Sequence, residues 1–148
     1  YKVSQTNIQR GIASVVSNTG LLGRWQVLQT LPSLVCDTAH NKEGLLFTMK
    51  QLQQTNQGVL HIVFGVVDDK NLDAILPLLP TSARYYFCAP NIPRALHVAT
   101  LKQKATDFNL TGTSYKSVKS AVRAALKTAT INDLIYVGGS NFVVAEVV

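Results

Sequence analysis

Asp37 and His40 stand three residues apart directly after the apolar run Leu34-Val35-Cys36. A carboxylate accepts hydrogen bonds from hydroxyl and amide donors, and an imidazole takes or gives a proton near neutral pH. Together they could orient a polar ligand and handle its proton. Three later stretches share the pattern of an apolar run ending in a polar turn. Gly65 to Asn71 carries Asp69 and Lys70, Ala89 to Arg94 carries Arg94, and Gly138-Gly139-Ser140-Asn141 carries Ser140. Arg24 lies just upstream of the first. Pro93 suits a first helical turn, which would put Arg94 at a helix amino end, where a cation opposes the dipole. So unfavourable a position points to contact with an anion. The glycines before Ser140 permit close approach, and the amides of a following helix suit an anion. His61, in the middle of an apolar run, reads instead as a satisfied core histidine.

These residues need a scaffold that delivers them to one place. Asn41 can cap a helix whose Leu45, Leu46, Met49 and Leu52 recur at helical spacing and should face a sheet. Val59 to Phe64 is nearly continuous in apolar residues, the mark of a strand covered on both faces. Trp25 to Leu31 alternates, Pro32-Ser33 turns, and Leu34 to Asp37 follows so closely that the two strands must be antiparallel. Arg84 to Cys88 and Asp133 to Val137 are further strands, with a short edge strand or a loop expected around Phe108 to Ser114. Helices are expected over Leu72–Leu79, after Pro93, and over Phe142–Val148. A leading helix, Thr6 to Ser17, has Thr6 as its cap and Ile8, Ile12, Val15 and Val16 as one stripe, with Gly20 after its end. The order predicts a three-layer, Rossmann-like α/β domain. Its mostly parallel sheet of about six strands has one antiparallel strand, and helices cover both faces. Right-handed crossovers would gather the four polar turns on one rim, the edge where open parallel sheets bind ligands.

A chain of 148 residues is a single-domain length. With 47% hydrophobic and 15% charged residues it is globular, and no apolar run reaches the ~20 residues needed to span a bilayer. Nothing at the amino end resembles a signal peptide. A net charge of +6 favours anionic partners. Lys116, Lys119, Arg123 and Lys127 line one helix face opposite Val118, Ala121, Val122, Ala125 and Ala129. No aromatic residues interleave there to stack on bases, which argues against nucleic acid. The rim lacks Gly-x-x-x-x-Gly-Lys-[Ser/Thr], the loop that cradles nucleotide phosphates, and the chain has no Cys/His cluster at zinc spacing.

Gly23-Arg24-Trp25-Gln26-Val27-Leu28 followed by Asp37-Thr38-Ala39-His40-Asn41 resembles the Gly-Arg-aromatic segment and Asp-x-Ala-His-Asn motif of the Mur ligase superfamily. Phe64-Gly65 through Asp69-Lys70, Pro93-Arg94-Ala95-Leu96 and Val137-Gly138-Gly139-Ser140 agree in the same order. The resemblance is strongest to the folylpolyglutamate synthase/dihydrofolate synthase branch and covers nearly the whole chain. It departs at Lys42, Asn71 and Asn141-Phe142, none of which removes a proposed ligand. The resemblance implies the C-terminal, glutamate-ligase domain of an ATP-dependent enzyme, residues 1–148, with 1–22 a leading helix and linker from an N-terminal ATPase domain. The implied reaction adds glutamate to a folate or dihydropteroate carboxylate through an acyl phosphate. Magnesium would be held mainly by the N-terminal domain, with no metal ligands here. Arg24 and Asp37 would bind ATP, at phosphate and ribose. His40 would be catalytic and near the amino acid, and Ser140, Lys70 and Arg94 would bind substrate. A cytoplasmic monomer is expected. The alternatives are a cell-wall Mur peptide ligase domain or a basic nucleotide- or nucleic-acid-binding module.

Cys36 and Cys88 both lie in apolar strand-like runs, where thiols serve as small reduced core residues. Thiol titration after denaturation without reductant should count two free sulfhydryls. Finding none would replace this reading with a disulfide.

Overall fold

The computed structural model describes residues 2–148; Tyr1, which opens the expected leading segment, lies outside them. Among the described residues six strands form one sheet: β1 (Gln26–Thr30), β2 (Ser33–Cys36), β3 (Leu60–Phe64), β4 (Arg84–Phe87), β5 (Gly112–Ser114) and β6 (Leu134–Gly138). Their order is β1-β2-β6-β3-β4-β5. β1 runs antiparallel to β2, and every other pairing is parallel. The expected sheet is therefore present, with its one antiparallel strand at an edge. The helices are α1 (Gln5–Ala13), α2 (Val15–Thr19), α3 (Lys42–Thr55), α4 (Leu72–Ile75, continued by a 3-10 turn at Leu76–Leu78), α5 (Val98–Asp107), α6 (Val118–Thr128) and α7 (Asn141–Ala145).

Strand alternation divides the core in two. Val35, Ile62, Phe64, Tyr85, Phe87 and Tyr136 point to the layer of α3, α4 and α5, where Leu45, Leu52, Ile75 and Leu101 meet them. Cys36, Val63, Tyr86, Ile135 and Val137 point to α6 and α7, against Val118, Ala121, Ala125 and Val143. Sequence runs from β2 across β6 to β3, on to β5, and back to β6 between them. That return sets the turns after β2, β6, β3 and β4 side by side at the carboxyl edge. Cys36 and Cys88 are buried and unbridged, and burial raises their thiol pKa values to about 11 and 12.

Four local expectations are corrected. Ser4, not Thr6, caps the leading helix, its hydroxyl accepting the Asn7 amide at 3.2 Å, and the helix breaks at Ser14 into α1 and α2. Leu46 is 55% exposed, because the inward stripe of α3 runs through Leu45, Thr48, Met49 and Leu52 and position 46 falls about 100° from Leu45. No helix begins at Pro93. Arg94 lies in a turn whose carbonyl accepts the Asp68 amide, Ala95 bridges Val67, and α5 starts only at Val98 with His97 as its cap. The dipole argument for Arg94 therefore falls away. The last helix starts one residue earlier than expected, at Asn141 under a Ser140 cap, and ends at Ala145.

At the opposite, amino edge of the sheet Asp133 accepts the amides of Val59 and Thr130, each at 2.7 Å, and its Oδ2 lies 3.4 Å from Nε2 of buried His61. Chiefly the Thr130 amide, aided by those of Val59 and the His61 ring and opposed by burial, holds the Asp133 carboxyl at about 2, below its ordinary 3.8. Facing a carboxylate, Nε2 carries the proton, so Nδ1 accepts from the Tyr86 hydroxyl at 2.9 Å. Burial lowers the His61 pKa and outweighs Asp133. Both groups take up protons more readily in the unfolded chain, so stability rises with pH. Melting temperature should fall as pH drops below 6.5 through the His61 window. A further loss of about 2 kcal/mol should come as Asp133 is protonated between about pH 4 and 2. Asp133→Asn should flatten the lower part of the curve; an unchanged acid limb in that variant would assign it elsewhere.

Candidate functional site

The rim is assembled from two backbone devices and one carboxylate. Asp37 follows β2, and its backbone amide continues the sheet ladder to the Val137 carbonyl at 3.1 Å. Its Oδ2 accepts the Trp25 amide at 2.7 Å. Oδ1 accepts the Ala39 amide at 2.8 Å and lies 3.4 Å from the Thr48 hydroxyl. Trp25 is held at φ 42°, a left-handed conformation that a bulky residue adopts only when its surroundings enforce it. Gly23, at φ 73°, has room for no Cβ, which would fall 2.8 Å from Val144 and 2.9 Å from Thr38. Between these two fixed residues Arg24 projects into solvent beside Thr38 and Asn141. Its guanidinium has no hydrogen-bond or ion-pair partner among the described residues.

The adjoining cleft, about 80 Å³, is lined by His40, Asp69, Lys70, Arg94, Ser140 and Phe142, among others. The β3 and β4 turns are zipped together. The Arg94 carbonyl takes the Asp68 amide and the Val66 carbonyl takes the Leu96 amide, both at 3.0 Å. Gly139, at φ 94°, lets the β6 turn close on them. A Cβ there would lie 2.6 Å from the Phe64 ring and 2.7 Å from the Gly65 carbonyl. Nδ1 of half-buried His40 donates to the Thr38 carbonyl at 2.9 Å, which leaves Nε2 as the acceptor of the neutral ring. Ser140 is buried and caps α7 by accepting the Phe142 amide at 3.2 Å, keeping its own hydroxyl proton to donate. The Arg94 guanidinium lies 5.1 Å from the Phe142 ring centre, and its Nη1 is 3.4 Å from Asp69. Lys70 is half-buried and has no ion-pair partner among the described residues.

His40, Lys70, Arg94 and Ser140 thus meet in one cleft. Arg24 and Asp37 sit outside its lining, on the far side of the β2–α3 turn. Two contributors were not anticipated: Phe142, which stacks on an arginine 48 positions away in the chain, and Thr48, an inward hydroxyl on α3. A threonine in the apolar stripe after an acid-ended strand was the only available signal for the second. No group of three or more His, Cys, Asp or Glu residues that could hold a metal occurs among the described residues. No helix there is long and apolar enough to cross a membrane.

Residues 23–141 match the glutamate ligase domain of the Mur ligases. The dihydrofolate synthase/folylpolyglutamate synthase of Escherichia coli (strain K12) is 34% identical over 150 residues, covering 99% of this chain and 33% of the relative. The counterpart from Buchnera aphidicola subsp. Acyrthosiphon pisum is 29% identical over 148 residues, covering 99% and 34%. In three dimensions E. coli FolC in complex with DHPP and ADP matches with a TM-score of 0.85 at 28% identity, over 99% of this chain and 34% of that one. A bifunctional folylpolyglutamate synthase/dihydrofolate synthase with Mn, AMPPNP and L-glutamate bound matches at 0.83 and 26%, with the same coverage. The chain spans about a third of the length of these relatives.

Asp37 orders this rim whatever binds there. Asp37→Ala leaves two backbone amides without their acceptor, at a cost of about 2–3 kcal/mol, and should lower the melting temperature by roughly 5–10 °C. A variant that melts like the parent would show that the two turns hold without it.

Proposed function

Because this chain belongs to the Mur ligase glutamate-ligase-domain family, we propose that it is the C-terminal domain of a folylpolyglutamate synthase/dihydrofolate synthase. The reaction is ATP-dependent addition of glutamate to a folate or dihydropteroate carboxylate, activated as an acyl phosphate. Residues 1–22 lead in from an N-terminal ATPase domain over which this one closes. The observation that carries the reading is the meeting of His40, Lys70, Arg94 and Ser140, from four different turns, with Arg24, unpaired among the described residues, across the β2–α3 turn.

Each side chain suits a share of that chemistry. Lys70 and Arg94 provide cations for the carboxylates of glutamate, Arg94 as a planar fork. Nε2 of His40 is free to accept a proton from the attacking amino group, and Ser140 donates a hydrogen bond to the same ligand. Arg24 reaches the phosphates. Of about four acceptor sites on a carboxylate, Asp37 commits three, to Trp25, Ala39 and Thr48. One remains on Oδ2 for a ribose hydroxyl. The nucleotide, when bound, supplies the phosphoryl group that activates the folate carboxylate. Magnesium would be held mainly by the N-terminal domain, beside the transferring phosphates. Unbridged Cys36 and Cys88 suit a reducing compartment, the cytoplasm.

Arg24 separates a functional role from a structural one, since it is exposed and has no partner among the described residues. Arg24→Ala should leave the melting temperature unchanged. In a ligase built by joining this chain to the N-terminal part of the E. coli relative, kcat should fall about 10²-fold, because one donor to developing charge is lost. The chain alone should release no phosphate in the presence of glutamate, lacking a loop to position the transferring group. An active chimera in which Arg24→Ala leaves kcat unchanged removes Arg24 from the reaction. A folded chimera unable to join glutamate to dihydropteroate or folate sinks the proposed activity.

A further inference from the structure

The basic row on α6 lies away from the rim and takes no part in the proposed reaction. Lys119 and Arg123 are exposed, four residues apart on a helix without a single Asp or Glu between Val118 and Thr128. Like charges at this spacing repel. Neither they nor Lys116 and Lys127 have an ion-pair partner among the described residues. Solvation alone explains a row of cations, but it does not explain what lies beside this one. Lys119 and Arg123 border a groove of about 420 Å³ between α6 and the edge strand β1, lined by Leu28, Leu34, Val122 and Leu126. Leu34 is buried at its base, while Leu28, Val122 and Leu126 pack on the α6 side of the core with faces still open.

We propose that this groove binds a small amphiphilic carboxylate, its apolar body on the leucine and valine floor and its anionic head between Lys119 and Arg123. Charge complementarity selects the sign of the ligand, since the lining contains two cations and no acid. The floor selects an apolar body, because a purely ionic ligand would leave it uncovered. Size selects a small molecule. The volume, about 420 Å³, falls within the 300–1,000 Å³ typical of such sites. The site is separate from the rim cleft and does not depend on the ligase reading.

Octanoate titrated into the isotopically labelled chain serves as the probe, followed by amide chemical shifts. Saturable shifts should appear at Leu28, at Val147 beside the groove and over Lys119–Leu126, with His40 and Lys70 unmoved. Octanol, with the same body and no charge, should bind at least five-fold more weakly, and inorganic phosphate should leave the groove amides unshifted. The double variant Lys119→Gln with Arg123→Gln should weaken octanoate at least five-fold at an unchanged melting temperature. Leu126→Asn should weaken octanoate and octanol alike. Equal binding of octanoate and octanol, or an undiminished affinity in the double variant, overturns the proposal. So does a shift of the same amides by chain concentration alone, which would mark a contact between copies, or by a duplex oligonucleotide with octanoate inert.

Discussion

Both oxygens of Asp37 are taken up by backbone amides from two separate turns, Trp25 at 2.7 Å and Ala39 at 2.8 Å. Its own amide continues the β2–β6 ladder, and its carbonyl lies 3.4 Å from the hydroxyl of buried Tyr136. One residue therefore fixes the sheet's carboxyl edge, the Gly23–Trp25 turn and the start of the β2–α3 turn relative to one another. Hydrogen bonds to a charged acceptor are roughly twice as strong as neutral ones. That strength holds Trp25 in a left-handed conformation costing about 1–3 kcal/mol. Replace the carboxylate, and the direction in which Arg24 projects is no longer set. Positioning of the Arg24 cation thus rests on a carboxylate with only one acceptor site left for any ligand.

On the other side of the turn the cleft is governed by competition among charges. Arg94 has Asp69 for company, but both side chains are more than half exposed, 54% and 59%. Such a pair contributes no more than about 1 kcal/mol. An incoming carboxylate can displace Asp69 at little cost, while the contact with the Phe142 ring keeps the guanidinium in place. Lys70 has no such internal competitor among the described residues. The cleft therefore retains positive potential without a ligand, and the zipped β3 and β4 turns keep its cations from separating.

Much of this was legible from the chain because parallel-sheet architecture leaves strong local marks. Continuous apolar runs at Leu60–Phe64 and Leu134–Val137, the Asn41 cap and the four polar turns each have a short-range physical cause. Their convergence on one rim follows from crossover handedness. Arg94 does lie on the rim, but not for the reason read from the sequence. Pro93 reads as a helix start, yet the segment is consumed by bonds to Asp68, Val66 and Val67 that only tertiary contact supplies. The Phe142–Arg94 stack left no trace in sequence, since nothing local couples two residues on different turns. Leu46 misled because apolar spacing alone does not separate a stripe residue from its neighbour about 100° around the helix. The leading helix is a similar case: its stripe is real, but Ile8, Ile12, Val15 and Val16 are 38–70% exposed in the described chain.

The two edges of the sheet divide the work. At the amino edge His61, Asp133 and Tyr86 satisfy one another and two backbone amides within a buried network, which raises stability. At the carboxyl edge the reverse holds: Arg24 and Lys70 have no ion-pair partner among the described residues, Trp25 is strained, and Gly139 is confined to a conformation that favours glycine. A domain of marginal stability, on the order of 5–15 kcal/mol, can carry such a rim only if cohesion is concentrated elsewhere. The same strands carry both: β3 runs from His61 to the turn that bears Lys70, and β6 from Asp133 to the turn that bears Ser140.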